Sequence, residues 1–279
     1  MNEASWPRLS IITPSFNQAK YLERTIVSVL GQNYENLEYI VLDGGSTDGS
    51  VAILRKYSDR ITAWESGPDE GQADAIYHGF EMATGDIIAW VNSDDYYLEE
   101  AFSAVGDYFR KNPSASWLIG NGILVDMDGK ELLKLYSPRI TFDNLLFFGG
   151  AFNQPSLFMK REAFFACGGF DRALKFCFDL DLVLNLARKL GPPGQIDSFL
   201  SAFRYHPESK TSTLATTRLQ ESACIRTGKY RALTGNRFLY GWKKRKNIIL
   251  LFLHRLRTSG IIPYLNFILS QKTYRNRYA

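Results

Sequence analysis

The chain is poor in the features that mark several large protein classes. Its three cysteines, Cys167, Cys177 and Cys224, show neither CxxC nor histidine-paired spacing, which argues against a disulfide framework or a zinc site and for free thiols in a reducing compartment. Long apolar runs are missing: the longest, residues 248–253, falls far short of a bilayer span, and the first residues lack the apolar stretch of a secretion signal. A cytoplasmic protein is the expectation. The glycine-rich GxGxxG loop and the lysine-bearing P-loop are absent, against dinucleotide or NTPase chemistry. No internal repeat or low-complexity linker divides the chain. At 45% hydrophobic and 22% charged residues over a length of 279, it is an ordinary globular sequence rather than a disordered one.

Acids are scarce in one region. Residues 218–279 hold 14 Lys or Arg and a single acid, Glu221, for a net charge of +13 against −9 in residues 1–217. Because this basic stretch also carries Trp242 and the apolar residues 248–253, it suits an anionic membrane surface better than nucleic acid. The alternative is a basic helix that packs on the acidic body. Lys243, Lys244, Arg245 and Lys246, at about 1 kcal/mol each near an anionic surface, would supply roughly 4 kcal/mol, enough for reversible peripheral docking at the inner face of the cell membrane. The expected division is a domain over residues 1–214 and a basic helical appendage over 215–279.

What is present is an alternation. Apolar runs at residues 9–13, 37–42, 61–64, 87–91 and 117–119 read as strands, and the helical periodicity of residues 21–30 and 72–83 lies between them. Such alternation predicts βαβ units on a mostly parallel sheet, with ligands bound where the strands end. The second half is mixed: a hairpin of residues 122–127 and 131–136 across Asp128-Gly129, a strand at 155–159, a short helix at 161–166, a strand at 199–205, and mostly helix from about 216.

The loops after the strands are polar. Thr13-Pro14-Ser15-Phe16-Asn17-Gln18 follows the first strand and Asp43-Gly44-Gly45-Ser46-Thr47-Asp48-Gly49-Ser50 the second. Ser46 or Asp48 can cap the next helix, whereas Asp43 precedes any cap and can accept a pyrimidine N–H or a ribose hydroxyl. Gly67-Pro68-Asp69-Glu70-Gly71-Gln72 feeds a helix N-terminus, a favourable place for phosphate. Residues 86–95 run an apolar strand into Asp94 and Asp95. Two carboxylates there invite a divalent cation bridging to phosphate, but residues 96–110 read as a helix, and an N-cap is the competing explanation.

Ile11-Ile12-Thr13-Pro14-Ser15-Phe16-Asn17, Val41-Leu42-Asp43-Gly44-Gly45-Ser46-Thr47-Asp48-Gly49-Ser50, Asn92-Ser93-Asp94-Asp95 and Gly168-Gly169-Phe170-Asp171 with Asp179-Leu180-Asp181 resemble, in order, family 2 glycosyltransferases of GT-A fold over roughly residues 8–210. The resemblance implies inverting transfer of a sugar from a nucleoside diphosphate donor, a UDP sugar by the fit of Asp43 to uracil, with Mn or Mg as cofactor. It places Thr13, Pro14, Asn17, Asp43, Gly71, Gln72, Asp74 and Asp94 around the nucleotide sugar. Asp95 would ligate the metal, Asp94 would face the ribose or the metal's outer shell, and Asp179 would be the catalytic base, with Asp181 in support. His206 is a further candidate for the metal or diphosphate, Arg204 and Lys210 for the diphosphate, and Gln154 for the acceptor. The acceptor implied is a glycan or lipid-linked glycan of bacterial surface polysaccharide. The family pattern is broken at Asn92, where a strict Asp-x-Asp needs Asp, and at Ile76 and Tyr77, where many members carry Arg and Asn. The rival readings are a sugar nucleotidyltransferase, which would want a basic glycine-rich loop after the first strand, and an inactive scaffold of the same fold that binds sugar nucleotide or membrane.

Overall fold

The first strand, β1 (Leu9–Ser15), is buried along its whole length, with Leu9 and Ile11 on one face and Ile12 on the other. A strand apolar on both faces needs a layer on each side of the sheet, and both are present. A computed structural model of the chain describes residues 6–148 and 152–230. In chain order β1 is followed by α1 (Ala19–Leu30), β2 (Leu37–Asp43), α2 (Ser50–Lys56), β3 (Ala63–Ser66), α3 (Gln72–Met82) and β4 (Ile87–Trp90). There follow β5 (Tyr96–Tyr97), α4 (Ala101–Lys111), β6 (Trp117–Val125), β7 (Glu131–Leu135) and α5 (Phe142–Phe148). The remainder is β8 (Leu157–Lys160), α6 (Arg161–Cys167), α7 (Phe178–Leu190), β9 (Gly194–Arg204), the short α8 (Lys210–Thr213), α9 (Ala215–Cys224) and a π-helical turn over Ile225–Lys229.

The sheet runs β3-β2-β1-β4-β8-β6-β9-β5, with β7 alongside β6. Helices α1 and α4 cover one face, where Leu22, Ile26, Phe102 and Val105 meet Ile11, Val41 and Ala89. Helices α3, α5, α6 and α7 cover the other, packing Ile76, Phe80, Phe164 and Leu184 on Ile12, Ile88 and Trp90. This α/β architecture fits the GT-A fold, but the sheet is mixed rather than mostly parallel. β1, β2, β3 and β4 pair in parallel, as does β6 with β9, while β8 runs against both β4 and β6, β7 against β6 and β5 against β9. An apolar run records that a strand is buried and not which way it points, so direction was not legible.

Two further expectations change. Residues 117–119 and 122–127 are not separate strands: β6 runs through Gly120-Asn121-Gly122, with register shifts against β9 at those residues. Gly122 has a packing reason, since a Cβ there would lie 1.9 Å from Asn153 Nδ2. The helix expected over residues 96–110 starts late. Tyr96 and Tyr97 extend to pair with Ala202 and Ser201, and α4 begins at Ala101 behind Glu100, which has φ 60°. Asp94 and Asp95 are therefore not its caps.

α9 packs against the entry to α7, and Tyr230 donates to Asn185 Oδ1 at 3.1 Å. The basic and apolar stretch at residues 242–253 lies outside the described residues.

Candidate functional site

β1, β2 and β4 end side by side, because their parallel pairing sets Ser15 beside Asp43 and Ile12 beside Trp90. Their loops are tied to each other. Asn17, with φ 52°, donates its N–H to Ser46 Oγ at 2.7 Å and accepts from the N–H of Thr47 at 2.9 Å. Asp48 holds the N–H of Ala19 at 2.8 Å and that of Ser50 at 3.1 Å, so one carboxylate serves the starts of both α1 and α2.

Asp43 is the hub of the second loop. Its Oδ2 accepts from the N–H groups of Ser46 and Gly45 and from the Ser66 hydroxyl, while Oδ1 accepts only the Ser46 hydroxyl, at 2.5 Å. A carboxylate oxygen has two acceptor sites, so Oδ1 keeps one open to a ligand N–H. Thr13 is different. It is fully buried and its Oγ1 accepts from the Tyr39 hydroxyl at 3.0 Å, so its hydroxyl does not face the loops. Pro14 is buried beside it. The Ser15 hydroxyl is buried at the end of β1 without a hydrogen-bond partner among the described residues. Gly71, at φ 111°, makes the turn into α3, where Gln72 donates to Asn92 Oδ1 at 2.6 Å. Asp74 pairs with Arg172, whose guanidinium also lies over Tyr77.

The two acids of the pair stand in different surroundings. Asp95 is 1% exposed: its Oδ1 accepts the N–H of Arg204 at 2.8 Å, and its Oδ2 the Asn92 amide at 3.2 Å. Burial pushes its carboxyl well above the usual range, with Asp94 beside it adding to the effect. Asp94 has a side chain 18% exposed, and its Oδ2 lies 3.0 Å from Nε2 of the fully buried His206, whose ring packs at a tilt against Tyr21. The carboxylate at the rim is thus Asp94, and Asp95 is spent on the fold. The turn carrying both is fixed by Thr25 in α1, whose hydroxyl is shared between the carbonyls of Ser93 and Asp95. Arg204 is also corrected: it is 3% exposed, and Nε and Nη1 donate to the carbonyls of Asp94 and Met127, so it pins the turn instead of facing a diphosphate. Gln154 donates to the Trp90 carbonyl at 3.0 Å and braces the same turn.

Among the described residues no cluster of three or more His, Cys, Asp or Glu side chains could hold a metal. What fits a hard cation is the Asp94–His206 pair. Neighbouring ligands of an octahedral ion bound at about 2.1 Å stand about 3 Å apart, which matches their separation. Among the described residues the buried His206 Nδ1 has no partner, so none of them locks the tautomer that donates to Asp94.

Asp179 stands in the first turn of α7, half-buried, its Oδ1 accepting the N–H of Leu180 at 2.7 Å. Burial pushes its carboxyl up to about 6, with a contribution from the negative charge of Glu221, and among the described residues no cation offsets the two. Asp181 is buried and accepts from the N–H of Asp171 and, at 2.6 Å, from Lys229 Nζ. Lys210 links the two halves of the site. Its ammonium feels the carboxylates of Asp94, Asp69 and Glu221, although burial still draws its pKa below the usual lysine value.

The family described as glycosyl transferase family 2 matches residues 10–167. Over 161 residues the chain is 32% identical to an uncharacterized glycosyltransferase of Haemophilus influenzae, covering 56% of this chain and 64% of that one. It is 38% identical over 128 residues to an uncharacterized glycosyltransferase of Mycobacterium tuberculosis, covering 44% and 49%. The chain thus spans between about half and two thirds of the length of these relatives. Its fold is shared with S. aureus TarS 1–349 in complex with UDP-GlcNAc, at TM-score 0.60, 18% identity and coverage of 74% and 61%. It is shared also with the mannosyltransferase PcManGT of Pyrobaculum calidifontis in complex with GDP-Man and Mn²⁺, at TM-score 0.58, 16% identity and coverage of 96% and 80%. The matched residues take in every strand from β1 to β8 and both loops centred on Asp43 and Asp94, more than half of the chain, and on that match it belongs to glycosyl transferase family 2.

Proposed function

We propose that the chain catalyses inverting transfer of a sugar from a nucleoside diphosphate sugar to an acceptor hydroxyl, with Asp179 as the general base. The observation that carries this is the Asp179 carboxyl, raised to about 6 with no cation partner among the described residues. A carboxylate of that basicity is ionised at neutral pH and takes a proton better than an ordinary one. In the transfer, the acceptor oxygen bonds to the anomeric carbon as the bond to the diphosphate oxygen breaks, and the hydroxyl proton passes to Asp179. The free site on Asp43 Oδ1 suits the N–H of a pyrimidine, which favours a UDP sugar. Both structural relatives hold nucleoside diphosphate sugars, UDP-GlcNAc in TarS and GDP-Man in the mannosyltransferase, in support of that donor class.

A divalent cation, Mn²⁺ or Mg²⁺, would be held by Asp94 and His206. It supplies Lewis-acid stabilisation of the negative charge that develops on the departing diphosphate. With only two protein ligands, its affinity rests on the donor's phosphates. The acceptor we favour is a glycan or lipid-linked glycan. The basic residues 243–246 support peripheral attachment to an anionic membrane, and among the described residues no helix is long and apolar enough to cross one.

The test is release of nucleoside diphosphate from a panel of UDP, GDP and dTDP sugars with Mn²⁺ and glycan acceptors, repeated with chelator and with Asp179→Asn. Release that depends on Asp179 supports the reading. No release from any donor and acceptor pair rejects it in favour of an inactive scaffold.

A further inference from the structure

The one acid in the basic C-terminal region sits where the catalytic helix begins. Glu221, in α9, accepts three consecutive backbone N–H groups: Lys175 at 2.8 Å on Oε1, and Phe176 at 2.9 Å and Cys177 at 2.8 Å on Oε2. These are the residues that lead into α7, and Cys177 gives that helix no side-chain cap of its own. Successive amides converging on one carboxylate form an anion-binding nest, and a negative charge at this end of a helix is favourable. Other bonds from the same C-terminal segment hold the same stretch. The Cys177 thiol donates to the Arg218 carbonyl at 3.5 Å, Lys210 Nζ donates to the Lys175 carbonyl at 3.5 Å, and Lys229 Nζ donates to Asp181 one turn further on.

We propose that Glu221 is the positioning residue for Asp179: its carboxylate gathers the three amides before α7 and so fixes where the base stands relative to the donor loops. The proposal rests on the reading of Asp179 as the base. Two of the three bonds use one oxygen of Glu221 and the third uses the other, so the carboxylate cannot rotate without losing part of the nest. The charged and titratable groups facing this region are Glu221 itself, the Cys177 thiol, whose pKa burial pushes up to about 12, Arg218 and Arg226 beside that thiol, and Lys210. Glu221 and Asp179 both lie beyond residues 10–167, the span that matches the family. It does no chemistry. Its effect is orientation, together with a negative charge near Asp179 that favours the protonated carboxyl.

The experiment follows the Asp179 carboxyl by ¹³C NMR, assigned by difference against Asp179→Asn, in the full chain and in Glu221→Gln and Glu221→Asp. Transfer kinetics are measured on the same proteins. In Glu221→Gln, which keeps one acceptor oxygen and loses the charge, the Asp179 midpoint is expected to fall below that of the full chain. A misplaced catalytic group costs up to about a hundredfold in rate. kcat is therefore expected to drop by about tenfold to a hundredfold with donor KM unchanged, and Glu221→Asp is expected to recover part of both. A purely structural Glu221 would lower the melting temperature and leave the midpoint of the folded protein where it was. An unchanged Asp179 midpoint and an unchanged kcat per folded molecule in both variants overturn the proposal. Absence of activity on every donor rejects the assignment of Asp179 as base, while the titration still decides whether Glu221 acts on it.

Discussion

Two pairs of aspartates stand at the functional end of this protein, and each is split in the same way. In the turn after β4, Asp95 is buried on the N–H of Arg204 while Asp94 stands at the rim beside His206. In α7, Asp181 is buried on Lys229 and the N–H of Asp171 while Asp179 is partly exposed, with no cation partner among the described residues. In each pair one carboxylate is committed to hydrogen bonds within the fold, and the other is the one proposed for the chemistry. The outward members then differ by their neighbours. Asp94 has an imidazole at ligand distance, an arrangement that suits a cation. Asp179 has burial and the charge of Glu221, which hold a proton. Identical side chains thus reach different chemistry through partners distant in sequence.

The strongest way to break this comparison is to exchange the outward and inward members. In Asp179→Asn, kcat for transfer is expected to fall by roughly 10² to 10⁴-fold, the usual contribution of a positioned base. Asp181→Asn is expected to act mainly on the melting temperature. Equal losses of kcat per folded molecule would dissolve the distinction. The first pair responds through metal: Asp94→Asn and His206→Ala are expected to raise the Mn²⁺ concentration for half-maximal activity by at least about tenfold, in the range of lost ligands and their supports. Asp95→Ala is expected to leave that concentration nearly unchanged and to destabilise the fold by about 1–3 kcal/mol, through the unpaired N–H of Arg204.

A pH profile sharpens the contrast. Because Asp179 must be ionised to accept a proton, kcat is expected to be flat at neutral pH and to fall on acidification through about 6. The matching stability effect is smaller. A carboxyl with folded pKa near 6 and unfolded value near 3.8 binds its proton more tightly when folded, so its stabilising contribution is complete below about 3.8 and is lost as pH rises through 6. At pH 7 the ionised form costs up to about 3 kcal/mol. Asp179→Asn should therefore melt at a higher temperature than the unmodified chain at pH 7, and the gain should vanish near pH 4.

Much of the fold was legible, because strands and helices announce themselves by local periodicity. Leu9, Ile11 and Ile12 mark β1, and Leu22, Ile26 and Val29 mark the buried face of α1. The errors fell where local pattern is silent. Tyr96 and Tyr97 continue a helical spacing but are captured as a strand by Ala202 and Ser201, more than a hundred residues away. Gly120 and Asn121 fall between two expected strands, yet β6 continues because β9 pairs with it on both sides of the register shifts, at Ile119 and from Asn121 and Gly122 onward. At the site, the acids themselves could be named from sequence. Which acid of each pair is free could not, since both aspartates of a pair sit within two residues of each other and differ only in what meets them.

The sequence by itself determined the layered α/β character, the polar loops at the strand ends, the positions of Asp43, Asp94, Asp95 and Asp179, and the charge contrast between body and C-terminal region. These are properties of composition and short-range spacing, and they survive in any fold that respects the pattern. Tertiary structure alone decided the strand directions, the burial of Asp95 against a partner 109 residues away, the pairing of Asp94 with His206 across 112, and the use of Glu221 to hold the entrance of α7. Those outcomes depend on which distant backbone groups are left needing an acceptor once the layers have packed, and a linear sequence does not carry that information in any local window.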